Sequence, residues 1–113
     1  MTPRLGFIGL GNMGLPRCRR LLDAGYAVTA FDRRPEPLAS VVTEGAVSAS
    51  SVADVAASCV VLLTSLPVPP HVEAVMRDDG ALAELRAGSL WIDLTTNRRS
   101  LVEELAAAAP EGV

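Results

Sequence analysis

Leu5-Gly6-Phe7-Ile8-Gly9-Leu10-Gly11-Asn12-Met13-Gly14 is an apolar run that breaks into three glycines spaced G-x-G-x-x-G. It reads as a strand, a tight turn and a helix start. Each glycine has a physical task in such a turn: Gly9 makes it, Gly11 lets a ligand diphosphate approach the backbone, and Gly14 lets the helix pack closely on the strand. The helix N–H groups then face the phosphates. Glycine spacing alone is a weak signal, and its surroundings decide. A helical pattern follows through Leu15, Cys18, Leu21 and Leu22, and a second strand, Ala27-Val28-Thr29-Ala30-Phe31, ends in Asp32. An acid about 20 residues past the turn is placed to bind a ribose hydroxyl.

At 113 residues the chain is one domain, positions 1–113, long enough to bury roughly two-thirds of its unfolded surface. The net charge of −3 and the scattered arginines give no basic stripe for nucleic acid. The longest uncharged run, Val55 to Pro70, holds Ser58, Thr64, Ser65 and three prolines, which a membrane helix tolerates poorly. With the sequence opening on strand and turn, no signal peptide is expected. Cys18 and Cys59 read as small core residues rather than a bridge or metal site, and a cytoplasmic location is expected. All ten basic residues are arginine.

Gly25 supplies the stop to the first helix and completes a β-α-β unit. Arg33-Arg34-Pro35-Glu36-Pro37 reads as a polar turn, Leu38 to Thr43 as a short helix, and Ala46 to Ser48 as a third strand. Ser51 and Asp54 have the spacing of a capping box for a helix through Ala57. Cys59 to Leu63, continuously apolar, is expected to be a fourth strand covered on both faces. The proline-stiffened loop Thr64 to Pro70 comes next. A helix from Pro70 buries Val72, Val75 and Met76, and a turn over Ala81 to Leu85 follows the break at Gly80. Leu90-Trp91-Ile92-Asp93 is strand five, and Ser100 with Glu103 caps a helix ending near Pro110. Alternating strands and helices predict an α/β, doubly wound parallel sheet of Rossmann type.

These residues resemble the β-hydroxyacid dehydrogenases, a family that includes 3-hydroxyisobutyrate dehydrogenase, tartronate semialdehyde reductase and the cofactor domain of 6-phosphogluconate dehydrogenase. The resemblance runs the length of the chain and is carried by Gly6 to Pro16, Leu22 to Val28, Leu66-Pro67, and Ile92-Asp93-Leu94-Thr95-Thr96. It implies NAD or NADP as cofactor, with Leu66, Pro67 and Thr96 at the nicotinamide and its ribose. His71 stands where relatives often have asparagine, and Arg99 where many have proline. The family's substrate loop and its catalytic lysine have no counterpart here. The resemblance therefore implies the cofactor half of the enzyme, truncated before the later strands and the helical domain, and inactive alone. A stand-alone NAD(P)-binding or regulatory module and the cofactor half of an imine reductase are the competing readings.

Gly9, Leu10, Gly11, Asn12, Met13, Gly14, Asp32, Arg33, Leu66, Pro67, His71 and Thr96 are thus the candidate cofactor-binding residues. Asp32 could instead cap the turn after it, and Arg33 and Arg34 could be solvated charge, stack on adenine or pair with a 2′-phosphate. A carboxylate repels that phosphate, which favours NAD. His71 is equally well a surface residue, Asp93 orients its loop, and the side chains of Met13, Met76 and Trp91 read as packing. A full-length relative would pair strand five with a further strand, and without that neighbour an open apolar edge is expected here. A homo-oligomer through that edge or the last helix is expected.

Overall fold

The computed structural model describes residues 4–66, 70–71, 74–85 and 87–94. Five strands, β1 (Leu5–Ile8), β2 (Val28–Phe31), β3 (Val47–Ser48), β4 (Val61–Thr64) and β5 (Leu90–Asp93), form one sheet in the order β3-β2-β1-β4-β5. All four pairings are parallel. The order reverses between β1 and β4, and a crevice opens beyond their carboxyl ends at such a switch point.

The helices α1 (Gly14–Asp23), α2 (Pro35–Thr43), α3 (Val52–Ser58) and α4 (Ala81–Glu84) cover the sheet from two sides. Leu5, Phe7, Val28 and Ala30 form one core with Cys18 of α1 and Val41 of α2. Ile8 and Leu62 form the other with Val52, Val55 and Ala56 of α3, Val75, Met76 and Leu82. Gly6 decides how closely α3 can lie: a Cβ there would stand 2.7 Å from Val55 Cγ1 and 2.8 Å from Cys59 Sγ.

The doubly wound architecture and strand five are as expected, and Gly25, at φ 92°, follows the end of α1. Several boundaries differ. The second helix begins at Pro35 rather than Leu38, because proline at the first helical position loses no hydrogen bond and has its φ preset. The third helix runs one residue further, to Ser58, with Ser51 Oγ accepting from Asp54 N–H at 3.2 Å. The other half of the expected capping box is diverted, since the Asp54 carboxylate accepts from the Ser50 hydroxyl.

Strand four is displaced to Val61–Thr64, because Cys59 is the C-cap of α3 and its thiol donates to Ala56 O. Its burial alternates between half-buried and buried positions rather than being complete on both faces. Pro70 and His71 are helical, and a π-helical turn, Ala74–Asp78, carries the buried Val75 and Met76. Val72, Pro67, Thr96 and the expected helix after Ser100 lie outside the described residues.

Candidate functional site

The loop between β1 and α1 is held by backbone bonds at both ends. Gly9 N–H donates to Phe31 O at 3.1 Å, and Leu15 N–H to Gly11 O at 2.9 Å. Gly9 has φ 101°, and a Cβ on it would meet Ser65 O at 2.1 Å. A Cβ on Gly14 would meet Gly9 O at 2.0 Å, so this glycine lets the helix close onto the strand. At Gly11 the only atom of the described residues within 4 Å of such a Cβ is Arg34 Nη2, 3.6 Å away. Two glycines therefore serve the fold, while the third leaves room for a Cβ among the described residues.

That space is a cleft of about 700 Å³ over the carboxyl ends of β1, β2 and β4, lined by Gly9, Gly11 to Gly14, Asp32, Arg33, Leu66 and His71 among others. It thus gathers nine of the twelve candidate residues. Leu10 is different: its side chain is buried in the core, and its N–H donates to Asp32 Oδ2 at 2.7 Å. It acts by positioning the acid. Met13, read from sequence as packing, is 64 % exposed at the cleft rim, because as N-cap residue of α1 it precedes the helix face that meets the sheet.

Asp32 Oδ1 accepts from Arg34 N–H at 2.8 Å and from Arg34 Nε at 3.2 Å. Burial alone would raise the Asp32 carboxyl. The N–H groups of Arg34 and Leu10 and the Arg34 guanidinium outweigh it and hold the pKa below the ordinary 3.8. The group is an anion at neutral pH, anchored from both sides; Oδ1 already accepts two bonds, and Oδ2, accepting one, keeps a lone pair for a further donor. Arg33 pairs with Asp79 at 3.4 Å, and both face an adjoining hollow of about 300 Å³ beside Phe31, Ser50, Ser51 and Val52.

Across the cleft, the end of β4 is fastened by side chains. The fully buried Thr64 hydroxyl donates to Asp93 Oδ1 and accepts from Trp91 Nε1–H, both at 3.0 Å. Asp93 is thus tied to the end of β4, while the loop beyond Leu94 that it is expected to orient lies outside the described residues. Arg17 Nη1 donates to Ser65 Oγ at 3.2 Å, and both residues line the cleft. Neither is singled out by the glycine motif, and 48 residues separate them. Helical spacing offers one hint, since Arg17 stands three positions after Gly14 and so shares its face.

Around the site no helix among the described residues is long and apolar enough to cross a membrane, and no group of His, Cys, Asp or Glu is arranged to hold a metal. Both cysteines are unbridged and buried, and burial first of all pushes each thiol up to about 11. They are thiols rather than nucleophilic thiolates at neutral pH.

The family described as the NAD binding domain of 6-phosphogluconate dehydrogenase matches residues 4–112. A probable mitochondrial 3-hydroxyisobutyrate dehydrogenase-like protein of Arabidopsis thaliana is 40 % identical over 94 % of this chain and 32 % of its own. Among solved structures, the 3-hydroxyisobutyrate dehydrogenase of Mycobacterium tuberculosis, with L-serine, has a TM-score of 0.86 at 31 % identity, covering 96 % of this chain and 36 % of that one. An imine reductase variant from Myxococcus stipitatus in complex with NAD+ also has a TM-score of 0.86, at 26 % identity, covering 96 % of this chain and 37 % of that one. The chain spans about a third of the length of these relatives. With the parallel sheet, the glycine loop and the anchored acid in place, this 113-residue chain belongs to the NAD-binding domain family of 6-phosphogluconate and 3-hydroxyisobutyrate dehydrogenases.

Proposed function

We propose that the cleft over Gly9 to Gly14 holds NAD(H), and that the chain is the cofactor half of an oxidoreductase moving hydride between a β-hydroxyacid and that cofactor. The observation that carries this reading is Asp32: a backbone-anchored carboxylate 22 residues beyond Leu10, at the cleft wall, with acceptor capacity to spare. The N–H groups at the start of α1 face the diphosphate, which the absence of acids in the helix's first turn favours. Gly11 leaves the diphosphate room, and Asp32 Oδ2 accepts from an adenosine ribose hydroxyl. Leu66 and His71 lie toward the nicotinamide end, with Pro67 and Thr96 assigned there by resemblance. NAD is preferred because a 2′-phosphate would stand against the Asp32 charge. Hydride chemistry itself belongs to the cofactor.

Calorimetric titration tests this directly. The parent chain should bind NAD(H), Gly11→Val should lose binding while keeping its melting temperature, and Asp32→Asn should shift preference toward NADP(H). Unchanged affinity in Gly11→Val would remove the site assignment, and an unchanged cofactor ratio in Asp32→Asn would remove the ribose role. The isolated chain, having no lysine, is expected to produce no NADH from any β-hydroxyacid, since positioned acid–base catalysis contributes roughly 10²–10⁴-fold. Imine reduction is the second reading, favoured by the likeness to the NAD+-bound imine reductase. Assay with a cyclic imine in the full-length protein separates the two.

A cytoplasmic setting accompanies this reading, supported by the two unbridged thiols. So does self-association along β5, where Leu90 is 54 % and Ile92 is 37 % exposed on a strand whose described partner is β4 alone. Light scattering during gel filtration should show a dimer or larger species that Ile92→Lys disperses. A concentration-independent monomer would contradict it.

A further inference from the structure

We infer that Arg17 is a diphosphate-binding residue of this domain, a cation that the glycine motif does not include; the inference rests on the cofactor reading above. Arg17 sits one turn into α1, on the helix face that presents Gly14 to the cleft. Its Nη1 donates to Ser65 Oγ at 3.2 Å. Ser65 is itself fixed, being buried and donating its N–H to Ile8 O at 2.9 Å. The guanidinium is therefore held between the start of α1 and the end of β4, where a dinucleotide crosses from one half of the sheet to the other.

The charge arithmetic around the cleft singles it out. Arg34 is matched by Asp32, Arg33 by Asp79, and Arg19, where α1 meets α2, by Glu44. Among the described residues no carboxylate pairs with Arg17, although it is half-buried. Of its five N–H donors, one is engaged by Ser65. A partly desolvated cation without a counter-ion is unfavourable, and an arriving anion relieves that cost. The start of α1 adds to the same field, since its first turn holds no acid and its N-cap residue, Met13, makes no side-chain capping bond. A dianionic diphosphate matches this deficit of negative charge, and a planar guanidinium suits phosphate oxygens.

The test is binding of NAD+, ADP-ribose and adenosine to the parent, Arg17→Gln and Arg17→Lys, with affinities from calorimetry and, for adenosine, chemical-shift titration. Arg17→Gln should bind NAD+ and ADP-ribose about tenfold more weakly, as expected for a charge-assisted hydrogen bond. Adenosine, which carries no phosphate, should bind both alike, and Arg17→Lys should recover part of the loss by restoring the point charge. Equal affinity of parent and Arg17→Gln for ADP-ribose would overturn the inference. So would an equal loss for adenosine, which would mark a packing role. If Gly11→Val abolishes binding while Arg17→Gln does not weaken it, the cofactor reading survives and this inference alone falls. If the parent binds no dinucleotide, both fall.

Discussion

The two halves of the sheet are built from similar strands and buried very differently. Leu5-Gly6-Phe7-Ile8 of β1 is buried at every position, and β2 at all but Phe31. Cys59-Val60-Val61-Leu62-Leu63 is the more uniformly apolar stretch, yet β4 alternates between half-buried and buried, and β5 between exposed and half-buried. The difference lies in what covers them. β1 and β2 are sandwiched between α1 and α2 on one side and α3 on the other, whereas Val61 and Leu63 reach only the margin of the core formed with α1 and α2. Apolar composition thus states what a strand can bury, and its neighbours state what it does bury.

The loops that follow these strands differ in the same way. After β1 the turn is held by backbone bonds and by glycines that tolerate no Cβ; after β4, side chains of Thr64, Asp93, Trp91, Ser65 and Arg17 add to the backbone bonds Ser65 N–H to Ile8 O and Leu94 N–H to Thr64 O. The backbone-held loop should therefore be the brittle one. Gly9→Ala combines a left-handed φ of 101° with a Cβ 2.1 Å from Ser65 O. The two effects are worth roughly 1–3 kcal/mol each, so thermal or urea unfolding should show a loss of about 2–6 kcal/mol. A loss under about 1 kcal/mol would mean the loop relaxes freely and the contrast is false.

Next in size is an effect that strikes both faces of the sheet, because each core holds one buried thiol, Cys18 in one and Cys59 in the other. Both are raised from 9.0 to about 11, burial being the first cause in each. Between those values the unfolded chain releases protons that the folded chain retains. The stability contribution is therefore complete below pH 9 and is lost as pH rises through about 11. Denaturation midpoints measured from pH 8 to 11 should fall, by an upper bound of about 2–3 kcal/mol per thiol. Cys18→Ala and Cys59→Ala should each flatten part of that fall, and a flat profile in the parent would show that ionisation does not reach these sites.

Smallest is the change at the side-chain-held end. Thr64→Val keeps the shape but removes the partner of Trp91 Nε1–H and one partner of Asp93. It should cost about 1–3 kcal/mol, with the larger perturbation at β5 rather than at the glycine loop, as amide hydrogen exchange would report. Equal deprotection of β1 and β5 would mean that the two halves open as one unit.

Much of this was readable in the chain itself. The motif from Gly9 to Gly14 carries its own explanation, since only glycine fits where a Cβ would stand 2.0 Å from a carbonyl oxygen, and Asp32 follows from strand length and spacing. The hydrophobic patterns announced the strands, although their ends slipped where local rules compete. Pro35 could belong to a turn or to a helix start, and Cys59 to a strand or to the cap of α3.

What the sequence by itself determined was therefore the order of elements, the glycine loop and the acid, because these rest on interactions over a few residues or on conformations that one residue type allows. The closeness of α3 to Gly6, the pairing of Arg33 with Asp79, and the meeting of Arg17 with Ser65 were decided only in the tertiary structure. Their partners lie 46 to 53 residues apart, and no local pattern records which side chains a parallel sheet will carry to the same end of neighbouring strands.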